Sequence, residues 1–342
     1  METLTLCLFL ATQMSQSAYT CIEQLDFAAH QLAERNPSCA RFALILTDNV
    51  VELVLHRVCA HELSCDDMWV KLGNPRFTAE QRSDALGQRF DKKVKLCKAI
   101  GKISADQAEA IQLCHKYRNE LYHAGLQYND IIWDIAWFYH DIAADLLGDV
   151  FPDHSWYSGA EVAPAVEKHA GKGGRRVLSE MKSVADSLRQ VRPQRHRTLP
   201  VALSASAVKR TDETAESLEF LVTDDPQHRP ESETIEDLQF YDYIRSEEPL
   251  VKEIWGKVKT QKQRAAAVAF IREIWKPKHS SNPLPGFQRR AKKIGSKRRE
   301  LDALKDFERF KVEFSYFSGL VEEAATAPDQ YIQHQIDVAR GK

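Results

Sequence analysis

Lys116-Tyr117-Arg118-Asn119-Glu120-Leu121-Tyr122-His123-Ala124-Gly125 closes a predicted helix on a concentration of polar side chains. Arg118 and His123 are five residues apart, about 140° round a helix of 3.6 residues per turn, so they lie on adjacent flanks. Asn119 and His123, four apart, stack on one face. A guanidinium is long and forked, so the three side chains can converge on one phosphate-sized volume. Arg brings permanent charge with paired donors, His moves a proton near neutral pH, and Asn orients either one. Gly125 is placed to end the helix, with His123 in its last turn. The same residues also serve as ordinary caps of terminal carbonyls, and a bare Arg-x4-His spacing is a weak signal.

Working upstream, Ser104-Ala105-Asp106-Gln107 has the form of a capping box and predicts the start of this helix. Ala108, Ile111, Cys114, Tyr117, Leu121 and Ala124 give it a core stripe. His115, one turn before Arg118 and Asn119, either lines the same groove or is a structural imidazole, and it is read as the latter and left out of the site. Further upstream, residues 17–35 form an amphipathic helix, broken at Asn36-Pro37-Ser38. Residues 40–62 form a helix apolar nearly all round, hence central. Its exceptions are Asp48, Glu52 and His56, at i, i+4 and i+8. That stripe is either a solvated face or a carboxylate set to hold Arg118, with Asp48 or Glu52 as the acid. After a loop at 64–77, a helix over 78–100 carries Leu86, Phe90, Val94 and Cys97 inward and Lys92, Lys93, Lys95 and Lys98 outward. Asn129-Asp130 opens a last helix to Leu147 whose apolar surface exceeds one seam, so it is central or a dimer face.

Arg118-Asn119-Glu120-Leu121-Tyr122-His123 resembles the Arg-x4–6-His signature of HEPN domains, with Asn in its frequent place after the Arg, and the resemblance covers about residues 16–152. It implies an all-α fold and a domain that dimerises so that two motif helices face one composite cleft. It also implies RNA cleavage without metal or other cofactor, leaving a 2′,3′-cyclic phosphate and a 5′-hydroxyl. Arg118, Asn119 and His123 would be the catalytic residues, with Asp48, Glu52 and Tyr122 as supporting candidates. Such enzymes serve as toxins or in abortive infection, an antiviral defence, which brings an antitoxin or regulatory protein in as a partner beside RNA and the homodimer. Members silenced by a nucleotidyltransferase carry a Tyr two residues after the His. Here that position is Gly125, so this control is not carried over. The rival reading is a non-catalytic module that binds a nucleotide or RNA, or recruits a partner.

The chain of 342 residues is long enough for two domains. Residues 1–152 hold 14 Lys+Arg against 20 Asp+Glu, which leaves the remainder at +4. The seven cysteines all lie in the first third without a Cys-x2-Cys pair, so neither a zinc site nor a disulfide framework is indicated, and reduced core thiols of a cytoplasmic protein are expected. The apolar start, Leu4 to Ala11, lacks a basic flank and is too short to span a bilayer. It reads as an arm packed on the domain, or as an extension ahead of a start at Met14, and no membrane partner is expected.

Residues 153–248 read as a charged, partly disordered linker, basic over 169–210 and acidic over 211–248. Residues 249–342 read as a smaller helical C-terminal domain, with one helix over 250–275 and another over 299–325. Between Ile274 and Arg299 there is no acid, and Lys276, Lys278, Arg289, Arg290, Lys292, Lys293, Arg298 and Arg299 are RNA-binding candidates, with Trp275 and Phe287 as stacking surfaces. The expectation is an N-terminal HEPN-like bundle of four to five helices joined by the charged linker to this domain.

Overall fold

The computed structural model describes residues 2–123, 129–150, 163–170, 181–192, 197–224 and 228–339, with side chains 2–16, 68, 122–123 and 328–339 outside the description. Among the described residues there are fourteen helices and no strand, so the chain is all-α. It divides into two compact units, residues 1–199 and 200–342.

The first unit opens with α1 (Glu2–Ala33), which takes in the apolar start, and α2 (Pro37–Lys71). Asn36 caps α2, its Oδ1 accepting from Ser38 N at 2.8 Å, and Pro37 sits in the first turn where its missing N–H costs nothing. The helix runs nine residues past its expected end, because residues 63–71 contain no Gly or Pro and the breakers are Gly73 and Pro75. The single helix expected over 78–100 is two: α3 (Ala79–Leu86) and α4 (Phe90–Ala99), parted at Gly87 in an extended conformation. The break turns the intended inner face apart. Leu86 is exposed while Phe90, Val94 and Cys97 are buried, and Lys93, expected outward, is buried as well.

The capping box at Ser104 forms, with Gln107 N donating to Ser104 Oγ at 3.1 Å and Ser104 N to Gln107 Oε1 at 2.8 Å. It starts α5 (Ala105–His123), the motif helix. Then α6 (Ile132–Val150) runs through the middle of the unit, packed against α1, α2, α5 and α8 (Met181–Gln190). Its broad apolar surface is therefore the central one of the two readings. A short α7 (Pro164–Ala170) packs on α1 and α8.

The stretch expected as a linker is divided between the units. Its first part, α7 and α8, belongs to the first unit, held by Val184, Ala185 and Leu188 buried along the α6 side and by a ladder of ions. Arg189 pairs with Asp145 at 2.6 Å, Arg192 pairs with Asp141, and Arg197 reaches Asp134 at 2.9 Å. Basic residues of the expected linker thus meet the carboxylates of α6. The charge segregation largely vanishes in the folded units, which hold 23 Lys+Arg against 25 Asp+Glu and 24 against 24.

At Gly148 the backbones of α6 and α8 come close enough that an added Cβ would stand 3.0 Å from Ala185 Cβ and 3.5 Å from Met181 O. Gly148→Val is expected to push α8 away and to cost about 1–3 kcal/mol, read in thermal unfolding.

A second prediction concerns His140, fully buried on α6, whose Nε2 donates to the Leu25 carbonyl at 3.1 Å. Burial pushes its pKa down to about 4. The unfolded imidazole, near 6.5, therefore takes up a proton first on acidification. This group contributes stability that is present above about pH 6.5 and is lost as pH falls towards 4, on the order of 3 kcal/mol in all. Urea titrations at pH 7.5 and 4.5 should show the loss, and His140→Gln should reduce it.

The second unit comprises α9 (Leu199–Thr223), α10 (Glu231–Arg245), α11 (Pro249–Gly256), α12 (Gln261–Ile274), α13 (Leu284–Ile294) and α14 (Glu300–Ala339). The acidic stretch expected in the linker forms most of α9 and α10. These are helices with buried faces, including Leu203, Ala207, Leu218, Ile235 and Phe240. The helix expected over 250–275 stops at Gly256 and restarts at Thr260, which forms a capping box with Gln263. Phe287 of α13 and Phe307, Phe310, Phe314 and Phe317 of α14 build an aromatic core. Gln239 of α10 bridges reciprocally to His279, donating to its carbonyl at 2.8 Å and accepting from its N–H at 2.9 Å.

Candidate active site

About two and a half turns of α5 line a cleft of about 750 Å³ with Gln112, His115, Lys116, Arg118, Asn119 and Glu120. Glu52 of α2 and Phe90 and Asp91 of α4, with Gln88 just before α4, complete the wall. The break at Gly87, which periodicity did not signal, is what brings Gln88, Phe90 and Asp91 there. Phe90 occupies the first position of α4 and stacks on His115 with ring centroids 3.9 Å apart and planes 12° apart.

Beneath the cleft wall sits Asp48, 0% exposed. Both its oxygens lie 3.0 Å from His115 Nδ1, and Oδ1 also accepts from Tyr139 OH at 2.8 Å. Arg118 Nε stands 3.3 Å from Oδ2, an ion pair by proximity rather than an aligned hydrogen bond. Three helices, α2, α5 and α6, therefore meet at one carboxylate. The positive charge of Arg118 and two further donors offset the cost of burying it. Burial and the neighbouring carboxylate raise the Tyr139 phenol well above its ordinary pKa, so it stays a donor.

Of the two acids considered from sequence, Asp48 is the one beside Arg118. Glu52 lies partly exposed on the cleft wall, with Lys93 Nζ 3.9 Å away. Arg118 Nη1 donates to Asn119 Oδ1 at 3.0 Å, so the asparagine holds the guanidinium. Lys116 and Glu120 face each other at 3.6 Å. His123 and Tyr122 are the last two residues of α5, and their side chains lie outside the described residues, as do Ala124 and Gly125. His115 and Tyr139 were not candidates from sequence. His115 offered a signal, its place one turn before Arg118 on the same side, whereas Tyr139 sits in an apolar run and offered none.

The RNA-binding candidates of the second unit are spread over the loop before α13, α13 itself and the turn before α14. Arg289, Lys292 and Lys293 line the exposed side of α13, and Lys276 and Arg298 are exposed. Arg290 pairs with Glu313, Arg299 lies 4.0 Å from Asp302, and Lys278 sits over the Tyr316 ring at 4.5 Å. Phe287, expected as a stacking surface, is buried in the aromatic core, and Trp275 packs edge-on against Phe240 at 5.4 Å. Phe287, spent on that core, has no face left for a base.

Among the described residues no three or more His, Cys, Asp or Glu side chains are grouped to hold a metal ion, and no helix is long and apolar enough to cross a membrane. No family model, curated protein or solved structure matches the chain.

Proposed function

We propose that the first unit is a metal-independent endoribonuclease of HEPN type, acting as a homodimer. The observation that carries this reading is Arg118, placed at a cleft wall and anchored on one side by buried Asp48 and on the other by Asn119. A guanidinium held in this way is preorganised to meet charge that develops on phosphate oxygens, at no reorganisation cost during reaction. The attacking group is the substrate's own 2′-hydroxyl, which the neighbouring phosphate already holds close. Its oxygen bonds to phosphorus, the bond to the 5′-oxygen breaks, and the products are a 2′,3′-cyclic phosphate and a 5′-hydroxyl. Arg118 stabilises the phosphorane oxygens, Asn119 fixes Arg118, and His123 handles a proton. The cellular role that goes with this activity is that of a toxin or anti-phage effector.

The test is cleavage of a mixed RNA pool in EDTA by the wild type and by folded Arg118→Ala and His123→Ala proteins. Metal-free cutting with cyclic-phosphate ends, lost in both variants, is the expected result.

One observation favours a second reading. Glu52, Asp91 and Glu120 share the cleft with Lys116 and Arg118, and such an acidic rim suits a single nucleotide better than a polyanion. A folded wild type that leaves RNA intact yet binds a mononucleotide would establish that non-catalytic module instead.

A further inference from the structure

Transesterification at an RNA phosphate moves two protons at opposite ends of an in-line displacement. One leaves the 2′-hydroxyl and one arrives at the departing 5′-oxygen. One imidazole does not stand at both ends at once, so a second group is required, either the motif histidine of a partner copy in the composite cleft or a further group of this chain. We infer that His115 is that group, the base that takes the 2′-hydroxyl proton on Nε2. This inference rests on the ribonuclease reading and extends it by a residue that the Arg-x4-His motif does not contain.

Three observations converge. First, the ring is oriented. Nδ1 is 3.0 Å from both oxygens of Asp48, a fully buried carboxylate, which fixes the proton on Nδ1 and leaves Nε2 as the acceptor. A carboxylate in this position also stabilises the imidazolium formed once Nε2 is protonated. Second, the ring is held in plane by Phe90, stacked at 3.9 Å with planes 12° apart. Third, the ring reaches the cleft. His115 lines it, its side chain is 20% exposed, and among the described residues Nε2 has no hydrogen-bond partner.

The spacing on α5 fits the chemistry. At 1.5 Å per residue, His115 lies about 4.5 Å along the axis on one side of Arg118 and His123 about 7.5 Å on the other. Arg118 thus stands between the two histidine positions along the helix. In the reaction the 2′-O–H bond breaks towards His115 Nε2, the 2′-O–P bond forms, the P–O5′ bond breaks, and His123 supplies the proton to O5′. Exchange with water then returns both rings to their starting states.

The experiment compares wild type, His115→Asn and His123→Ala on an RNA dinucleotide and on its analogue with sulfur in place of the bridging 5′-oxygen. The asparagine amide can keep the donor to Asp48 while Nε2 is removed, and folding is checked by helical circular dichroism and the thermal transition. A thiolate leaves without being protonated, so a variant lacking the acid regains its rate on the sulfur substrate and a variant lacking the base does not.

His115→Asn is expected to lose at least about 100-fold in kcat on both substrates with KM within about threefold, and His123→Ala to recover on sulfur. His115→Asn cutting within about threefold of wild type overturns the inference and leaves the nuclease intact. So does rescue of His115→Asn by sulfur, which would make it the acid. A wild type that cuts neither substrate removes the ribonuclease reading, and the role of His115 with it.

Discussion

Arg118→Ala is expected to lower RNA cleavage by about 100- to 1,000-fold, the usual cost of removing one preorganised donor from a site of developing charge. The loss should fall on kcat, because charge on the phosphorane oxygens exceeds that of the ground-state phosphodiester. Arg118 also balances the buried charge of Asp48, so the alanine protein must be checked for folding. Arg118→Lys separates the two effects. It keeps a cation near Asp48 but has neither Nε nor the planar fork that Asn119 holds through Nη1. The lysine protein is expected to melt close to the wild type and still to lose most of its activity. Single-turnover cleavage and calorimetry on the same samples decide this, and a fully active lysine variant would mean that simple charge suffices.

Asp48→Leu should be the most destabilising single change in the first unit. It removes the acceptor shared by His115 Nδ1 and Tyr139 OH and leaves the Arg118 cation beside a buried apolar side chain. Breaking a buried pair by deleting one partner typically costs about 3–5 kcal/mol. For a unit of this size that is a drop of the order of 10 °C in the melting temperature. Asp48→Asn keeps an acceptor but adds donors that face donors, so an intermediate loss is expected. Combining Asp48→Leu with Tyr139→Phe should cost less than the sum of the two, because the phenol has already lost its acceptor.

The helical class was legible because its signals are local. Apolar spacing, the capping box at Ser104 and the Asn36-Pro37 start each act within a few residues. Boundaries failed where one residue outweighs a periodic pattern, at Gly87 and at Gly256. The linker expectation failed for a different reason. Charge runs look solvated in one dimension, but Arg189, Arg192 and Arg197 lie against acids 44 to 63 residues earlier in the chain.

At the site, the Asp48, Glu52 and His56 stripe was visible, whereas the choice between the acids was not. That choice depends on how α2 rotates against α5 and α6, a matter of side-chain packing rather than spacing. His115 was visible as a residue and was read as structural, because nothing in a sequence shows that a carboxylate on another helix orients one ring nitrogen and leaves the other facing a cleft.

The central position of α6 gives the first unit an internal clock. Covered by α1, α2, α5 and α8, its amide protons can meet solvent only when those helices separate, so they exchange at the rate of whole-unit opening rather than by fraying. Deuterium uptake at residues 135–147 then reports the global stability of this unit in the intact chain. Any variant of the cleft can be ranked on that scale before a single substrate is added.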